Sequence, residues 1–210
     1  MDLQEAIRKR RSIKKYLDIS VEPEKVHKII EAANLAPTSG NLQELNFTII
    51  QDKAKRDELA QSCLEQWWMA KAPIHIAVCS QTQKLKQFYG QRGVEVYSHQ
   101  NGAAAIQNLL LTATELGLGS CWVGAMNERM VKRALSIPDE VILVAIITLG
   151  YPDEAPKMPA KQPIEFCTFV EKYGSKFSDW DFALGRYGAH LKKKIDEAKE
   201  GIKRIVGMQT

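Results

Sequence analysis

The sequence predicts an α+β fold organised around one buried helix, and two observations carry that prediction. First, residues 102–116 follow a helical period yet are apolar on nearly every side: Ala103, Ala104, Ala105, Ile106, Leu109, Leu110, Leu111, Ala113 and Leu116. A surface helix carries a single apolar stripe, so a helix apolar all round is buried on several sides at once. Second, strand-like apolar runs at 47–50, 74–79 and 141–149 alternate with amphipathic helical segments, the mixture from which helix-covered sheets are built.

In chain order, Leu3, Ala6 and Ile7 share one face of a short helix that runs into a basic cluster at 8–16, RKRRSIKKY. Such a run is usually a solvated face. Here Ile13 and Tyr16 alternate with the charges, which fixes the segment against a core. Arginine beside serine also suits a phosphate, because the guanidinium fork is bidentate and the hydroxyl is a compact donor. Pro23 opens the next helix at a position where its missing N–H costs nothing. Val26, Ile29, Ile30 and Ala33 form its buried face, and Pro37 blocks continuation. Thr38, Ser39, Gly40 and Asn41 then make a polar loop, readable as turn chemistry or as a donor-rich contact for a planar polar ligand.

Residues 47–50 read as a strand and 55–66 as an amphipathic helix with Leu59, Cys63 and Leu64 inward. Trp67, Trp68 and Met69 form an apolar knot expected in the core or an interface. His75, on the buried strand 74–79, is expected to be a core histidine. The central helix stops at Gly117, Leu118 and Gly119, and 120–124 is extended, laid against that helix. A glycine in such a segment often marks close approach of a ligand, which singles out Gly124. Asn127 caps a helix at 128–135 with Met130, Val131 and Ala134 inward. The strand 141–149 ends at Gly150, Tyr151 and Pro152, and a Pro-rich linker at 152–163 carries Lys157 and Lys161. An aromatic stretch follows, with Phe166, Phe169, Tyr173, Phe177, Trp180, Phe182 and Tyr187, then a helix from about Ala189. Its Leu191, Ile195, Ala198, Ile202 and Ile205 form a narrow seam suited to lying along a partner subunit. The expected division is a domain at 1–165 and an arm at 166–210.

A length of 210 residues and an apolar share of 45% support one full core plus an arm. The net charge of +4 is mild, and 186–204 alone, with seven Lys/Arg against three Asp/Glu, accounts for it. Nucleic acid is therefore not an expected partner. Cysteines 63, 79, 121 and 167 lack metal-ligand spacing and read as reduced thiols of a cytoplasmic protein. The N-terminus has no apolar core of a signal peptide, and no run approaches the ~20 residues that cross a bilayer, so no membrane partner is expected. His27, His99 and His190 show no partner pattern, and there is no Ser/His/Asp set, metal cluster or GxxxxGK loop. Catalysis by side chains has little support.

The Arg-Arg-Ser-x-Lys segment, the Ala-Pro-Thr-Ser-Gly-Asn-x-Gln loop, the small-residue helix leading into Gly-Leu-Gly-Ser-Cys-Trp-x-Gly, and the strand ending Leu-Gly-Tyr-Pro occur in one order. That ordered set, spanning 3 to about 165, resembles the FMN-dependent nitroreductase family. The resemblance implies a three-layer sandwich with a central mixed sheet flanked by helices, as an intertwined homodimer with FMN at the subunit interface. It implies that Arg10, Arg11 and Ser12 hold the phosphate and ribityl end and that Lys14 faces the pyrimidine edge. Pro37, Thr38, Ser39, Asn41 and Gln43 would come from the other subunit. Trp122, Val123 and Gly124 would line one face of the ring, with the Gly124 amide toward N5. Lys161 falls where many members carry a phosphate-binding arginine.

The implied activity is transfer of electrons from NAD(P)H to an electron-poor small molecule (nitroaromatic, quinone or flavin) by alternating half-reactions, with no catalytic side chain. The alternative is a specialised flavoenzyme of the same fold acting on one metabolite, by reductive substituent removal or cofactor synthesis. The sequence departs from the family at Glu44-Leu45, where many members continue Pro-Trp; this is expected to alter the pocket wall. It departs again at Lys161 and in its longer aromatic arm.

Overall fold

Four strands, β1 (Leu45–Ile50), β2 (Ile74–Gln81), β3 (Gly119–Val123) and β4 (Val141–Gly150), form a sheet of order β1-β2-β4-β3. The structure, a computed structural model, describes residues 1–169 and 172–175. All three ladders are antiparallel, and the parallel component of the expected mixed sheet is one isolated bridge, Ser12 to Ser120. Both faces of the sheet are covered, which is why β2 and β4 read as continuous apolar runs rather than alternating ones. On one face, α2 (Pro23–Asn34) and α5 (Ser98–Glu115) pack on Ile74, Ile76, Val78, Ala145, Ile147 and Leu149. On the other, α3 (Lys53–Ser62) and α6 (Glu128–Leu135) cover Ala77, Cys79, Val123, Leu143 and Ile146.

The central helix is α5, and its burial follows the sequence: Ala105, Ile106, Leu109, Leu110 and Ala113 are buried, with Ala103, Ala104 and Leu111 half-buried. It starts earlier than predicted because α4 (Thr82–Arg92) and a π-helical turn (Gly93–Tyr97) feed into it. The polar segment 82–97 carried no apolar period from which to predict them. Gly102 has a specific role. In the β2–β4 ladder Val78 pairs with Ala145 and Cys79 with Leu143, so Val144 is the extra residue of a bulge. Val144 packs toward α5, and a Cβ on Gly102 would lie 2.7 Å from its Cγ2.

Several side chains depart from expectation. Helix α3 stops at Ser62, and Leu64 and Glu65 turn through left-handed φ of 58° and 57°, which throws Leu64 out to 65% exposure. Leu59 and Cys63 are buried as expected. Asn127 caps α6 through its Oδ1, which accepts from the Met130 amide at 3.2 Å, and Val131 and Ala134 are buried, but Met130 is exposed. In α1 (Leu3–Lys9) only Ala6 is buried; Leu3 and Ile7 are exposed.

The chain divides into two compact units, Met1–Met158 and Pro159–Thr210. The described part of the second holds a short helix, α7 (Ile164–Cys167), and a Phe169–Tyr173 ring contact at 5.0 Å between centroids. Phe177, Trp180, Phe182, Tyr187 and the helix expected from Ala189 lie outside the described residues. Among the described residues no helix is long and apolar enough to cross a membrane.

His75 is fully buried, with Nε2 2.9 Å from the Met69 carbonyl and Nδ1 unpartnered among the described residues. Burial pushes its pKa down to about 4. The unfolded chain therefore binds a proton between about pH 6.5 and 4 that the folded chain refuses, and stability falls as pH drops through that window. The loss is up to ~3 kcal/mol. Urea unfolding across this range is expected to show that slope for the wild type and a shallower one for His75→Gln; equal slopes would contradict it.

Candidate functional site

Helix α1 is capped by Asp2, whose Oδ1 accepts from the Glu5 amide at 2.8 Å, and it ends where Arg10 turns extended. The chain then runs along the sheet. The Ile13 amide donates to the Ser120 carbonyl at 3.0 Å, and the Leu17 amide to the Tyr151 carbonyl at 2.9 Å. Glu154 Oε1 accepts from the amides of Lys14 and Lys15 at 2.6 and 3.1 Å, clamping the opposite edge. Tyr16 is buried; its hydroxyl lies 2.6 Å from the Ile13 carbonyl and 2.7 Å from Thr148 Oγ1, and burial raises its pKa so that it stays protonated. Ile13 packs on Gly119, where a Cβ would approach it to 2.9 Å.

With the backbone pinned, side chains alternate. Arg10, Ser12 and Lys14 all act electrostatically on Cys121. Burial pushes that thiol's pKa up, and a Ser12 hydrogen bond and the charges of Lys14 and Arg10 oppose the rise. Lys14 Nζ sits 5.3 Å from the centroid of the half-buried Trp68 ring, a cation–π contact. Among the described residues neither Arg10 nor Lys14 is in an ion pair, so both charges are available to an anion. Arg11, expected to share the task, is separated from them. Its Nη1 donates to the Arg8 and Arg10 carbonyls at 2.6 and 2.7 Å, and it lines a different cavity of about 400 Å³ with Arg8, Ile13 and Leu118.

Strand β3 also splits by parity. Trp122, paired with Ile147, stands 39% exposed, whereas Val123, paired with Ile146, is 3% exposed in the core under α3 and α6. Val123, expected to line a ring, can therefore offer only its backbone. Gly124 follows in the open: a Cβ there would meet only the Trp122 indole, at 3.6 and 3.9 Å.

The loop after α2 is tightly wound. Gly40, Asn41 and Gln43 hold left-handed φ of 58°, 55° and 51°, a conformation that non-glycine residues adopt rarely and at a cost. Thr38 Oγ1 accepts from the Gln43 amide at 3.1 Å, and Gln43 Nε2 reaches Asn41 Oδ1 at 3.4 Å. Ser39 donates twice to Asn101 Oδ1, from its amide and its hydroxyl, both at 3.1 Å. Pro37 is exposed. Tyr89 covers Gly40, where a Cβ would fall 2.4 Å from the phenol oxygen. Lys161 is exposed in the second unit.

The candidate residues thus form two groups. The loop is tied to Asn101 near the start of α5, while Ser12 bridges Ser120 just beyond its end. At 1.5 Å per residue those places are roughly 20 Å apart. No hydrogen bond or ion pair among the described residues joins the two groups. The residues that contact these segments without having been assigned to them from the sequence are Glu154, Trp68, Tyr89 and Asn101. Each acts across the fold, with no local pattern to mark it.

Buried titratable groups elsewhere in the fold also move away from neutrality. Burial raises Cys63 and Cys79 to about 11 and lowers His75 to about 4. None of these is poised as a nucleophile or general base at neutral pH. The arrangement suits holding an anionic, planar group rather than attacking a substrate. Arg10 and Lys14, outside any ion pair among the described residues, flank the Ser12 hydroxyl in sequence, the Trp122 indole is half exposed, and Gly124 stands open beside it.

Comparison with known proteins bears on the same segments. A family model described as "Nitroreductase family" matches residues 7–151. A Methanothermobacter thermautotrophicus protein, provisionally named NADH dehydrogenase/NAD(P)H nitroreductase, is 34% identical over 162 residues, covering 74% of this chain and 80% of the relative. The FMN reductase [NAD(P)H] of Bacillus subtilis is 26% identical over 176 residues, covering 78% and 71%. Among solved structures, a provisionally named nitroreductase from Desulfovibrio desulfuricans in complex with FMN superposes with a TM-score of 0.73 at 30% identity. It covers 82% of this chain and 98% of its own.

Proposed function

We propose, from the premise that this chain belongs to the nitroreductase family, that it is an NAD(P)H-dependent FMN oxidoreductase whose cofactor is held jointly by two copies of the chain. The chemistry supplied by FMN is hydride acceptance from NAD(P)H and electron delivery to a nitroaromatic, quinone or flavin. The protein's share is binding and orientation. Arg10 and Ser12 hold the phosphate and ribityl end, and Lys14 favours negative charge at the pyrimidine edge of the ring. The Trp122–Gly124 backbone faces the ring, and the Gly124 amide is the donor toward N5. Arg11 supports this set indirectly by capping the α1 carbonyls.

The single observation that carries the reading is the extended 10–14 segment pinned against β3 at Ser120, with Arg10 and Lys14 outside any ion pair among the described residues. Purified protein incubated with FMN is expected to turn yellow, retain about one FMN per chain, and bleach anaerobically with NADH or NADPH. A colourless protein that takes up no FMN contradicts it.

The homodimer is supported by the roughly 20 Å between the two groups of site residues along α5. A twofold-related copy can set the 37–43 loop of one chain beside Arg10 and Gly124 of the other. The exposed Leu3, Ile7 and Leu35 supply apolar surface for that pairing. A cytoplasmic location is supported by free thiols at Cys63, Cys79 and Cys121.

Gly124 separates folding from binding. A Cβ there meets no backbone, so Gly124→Val is expected to keep stability within about 0.5 kcal/mol. Its added methyls would occupy the space before the ring and weaken FMN at least ~10-fold, about 1.4 kcal/mol. Fluorescence titration with FMN checks this; unchanged affinity would remove Gly124 from the site.

A further inference from the structure

We infer that Glu44 is a positioning residue: through Asn101 its buried carboxylate fixes the polarity and shape of the 38–43 loop, half of the proposed FMN site. The inference rests on the FMN reading above and goes beyond it, because this position departs from the family pattern and was expected to form pocket wall. Its side chain is buried instead. Glu44 is 3% exposed, its Oε1 accepts from Asn101 Nδ2 at 2.7 Å, and its Oε2 is buried without a hydrogen-bond partner among the described residues. Its own carbonyl accepts from the Gln81 amide at 2.9 Å, which ties it to the end of β2.

The hydrogen bonds admit one arrangement. Ser39 presents two donors, its N–H and O–H, to the same atom, Asn101 Oδ1. A flipped Asn101 would turn its NH₂ toward the Ser39 N–H, which can only donate, and its Oδ1 toward the Glu44 carboxyl oxygen, losing both bonds. The NH₂ must therefore point away, and there it meets a carboxylate, which when ionised can only accept. Glu44 thus selects the amide orientation that holds Ser39, and Ser39 precedes the left-handed residues Gly40, Asn41 and Gln43. A buried carboxylate with one unpartnered oxygen is a poor device for stability. It is a good device for choosing one polarity. The outcome at the loop surface is specific: the Ser39 proton is committed to Asn101, leaving that oxygen as an acceptor. Thr38 Oγ1 accepts from Gln43, leaving its own proton free to donate.

The test inverts the polarity and then restores it. Asn101→Asp sets two carboxylates against each other and is expected to weaken FMN at least ~10-fold in a fluorescence titration. Adding Glu44→Gln to Asn101→Asp lets the glutamine amide donate to the carboxylate at position 101, whose second oxygen still receives Ser39. That double variant is expected to return within ~3-fold of wild type. Wild-type affinity in Asn101→Asp, or a double variant no better than Asn101→Asp alone, overturns the inference. Should Asn101→Asp fail to fold, Glu44→Ala decides: its apo thermal midpoint should shift by less than about 4 °C, while FMN affinity falls ~10-fold. Wild-type affinity in Glu44→Ala sinks the inference too. Failure of the wild type to bind FMN is a separate result, and it sinks the parent reading instead.

Discussion

Gly102→Val is expected to destabilise the protein by more than ~3 kcal/mol, a large share of a domain's typical 5–15 kcal/mol. The cause is local. The β4 bulge turns Val144 toward α5, and a Cβ on residue 102 would lie 2.7, 2.8 and 3.1 Å from its Cγ2, Cγ1 and Cβ. Valine is stiff at χ1, and Val144 is held between paired neighbours Leu143 and Ala145, so it cannot easily swing away. The helix must move off the sheet instead, which loosens the packing of Ala105, Ile106 and Leu109. Gly102→Ala gains about 1 kcal/mol of helix propensity and loses ~1–3 kcal/mol to overpacking, so its net effect is smaller. Val144→Ala should rescue Gly102→Ala by making room for the added methyl. Urea denaturation of the four proteins checks this, and additivity of the two single substitutions would show that they do not touch.

Arg10→Ala is expected to weaken FMN by ~10- to 150-fold, the ~1.5–3 kcal/mol of a charge-assisted hydrogen bond. Arg11→Ala should leave FMN affinity within ~3-fold, because its Nη1 serves the Arg8 and Arg10 carbonyls and the loss falls on the end of α1. Lys14→Ala should weaken FMN less than Arg10→Ala and lower the flavin's reduction potential, since it removes a cation from the ring edge rather than from the phosphate. Titration at low ionic strength, followed by a potential measurement, separates the cases. Equal effects of Arg10→Ala and Arg11→Ala would show that the alternation seen at Cys121 does not govern binding.

Much of this fold was legible before the structure, because burial writes itself into local pattern. The all-round apolar 102–116, the strands near 47–50, 74–79 and 141–149 and the Asn127 cap follow from period and capping chemistry alone. The misses share a cause. Leu64 and Met130 fit an apolar period but fall past a helix stop or on its rim, and period does not report where a helix ends. The Val123 side chain lies in the core and the Arg11 side chain on the α1 carbonyls, which the motifs did not reveal, because in an extended segment facing depends on sheet register, which a short motif does not carry. Glu44 was visible as an oddity, but its partner Asn101 is 57 positions away. Glu154 clamps Lys14 across 140 positions.

The central claim, one FMN site built from two copies, is tested most directly by mixing damaged halves. Co-express Arg10→Ala/Lys14→Ala chains with Ser39→Ala/Asn41→Ala chains under separate tags, isolate the mixed dimer, and measure bound FMN. A composite site predicts one intact site per mixed dimer, with close to one tightly bound FMN, although each parent dimer binds weakly. Mixed dimers as empty as their parents, or a protein that stays monomeric while holding FMN, would contradict it.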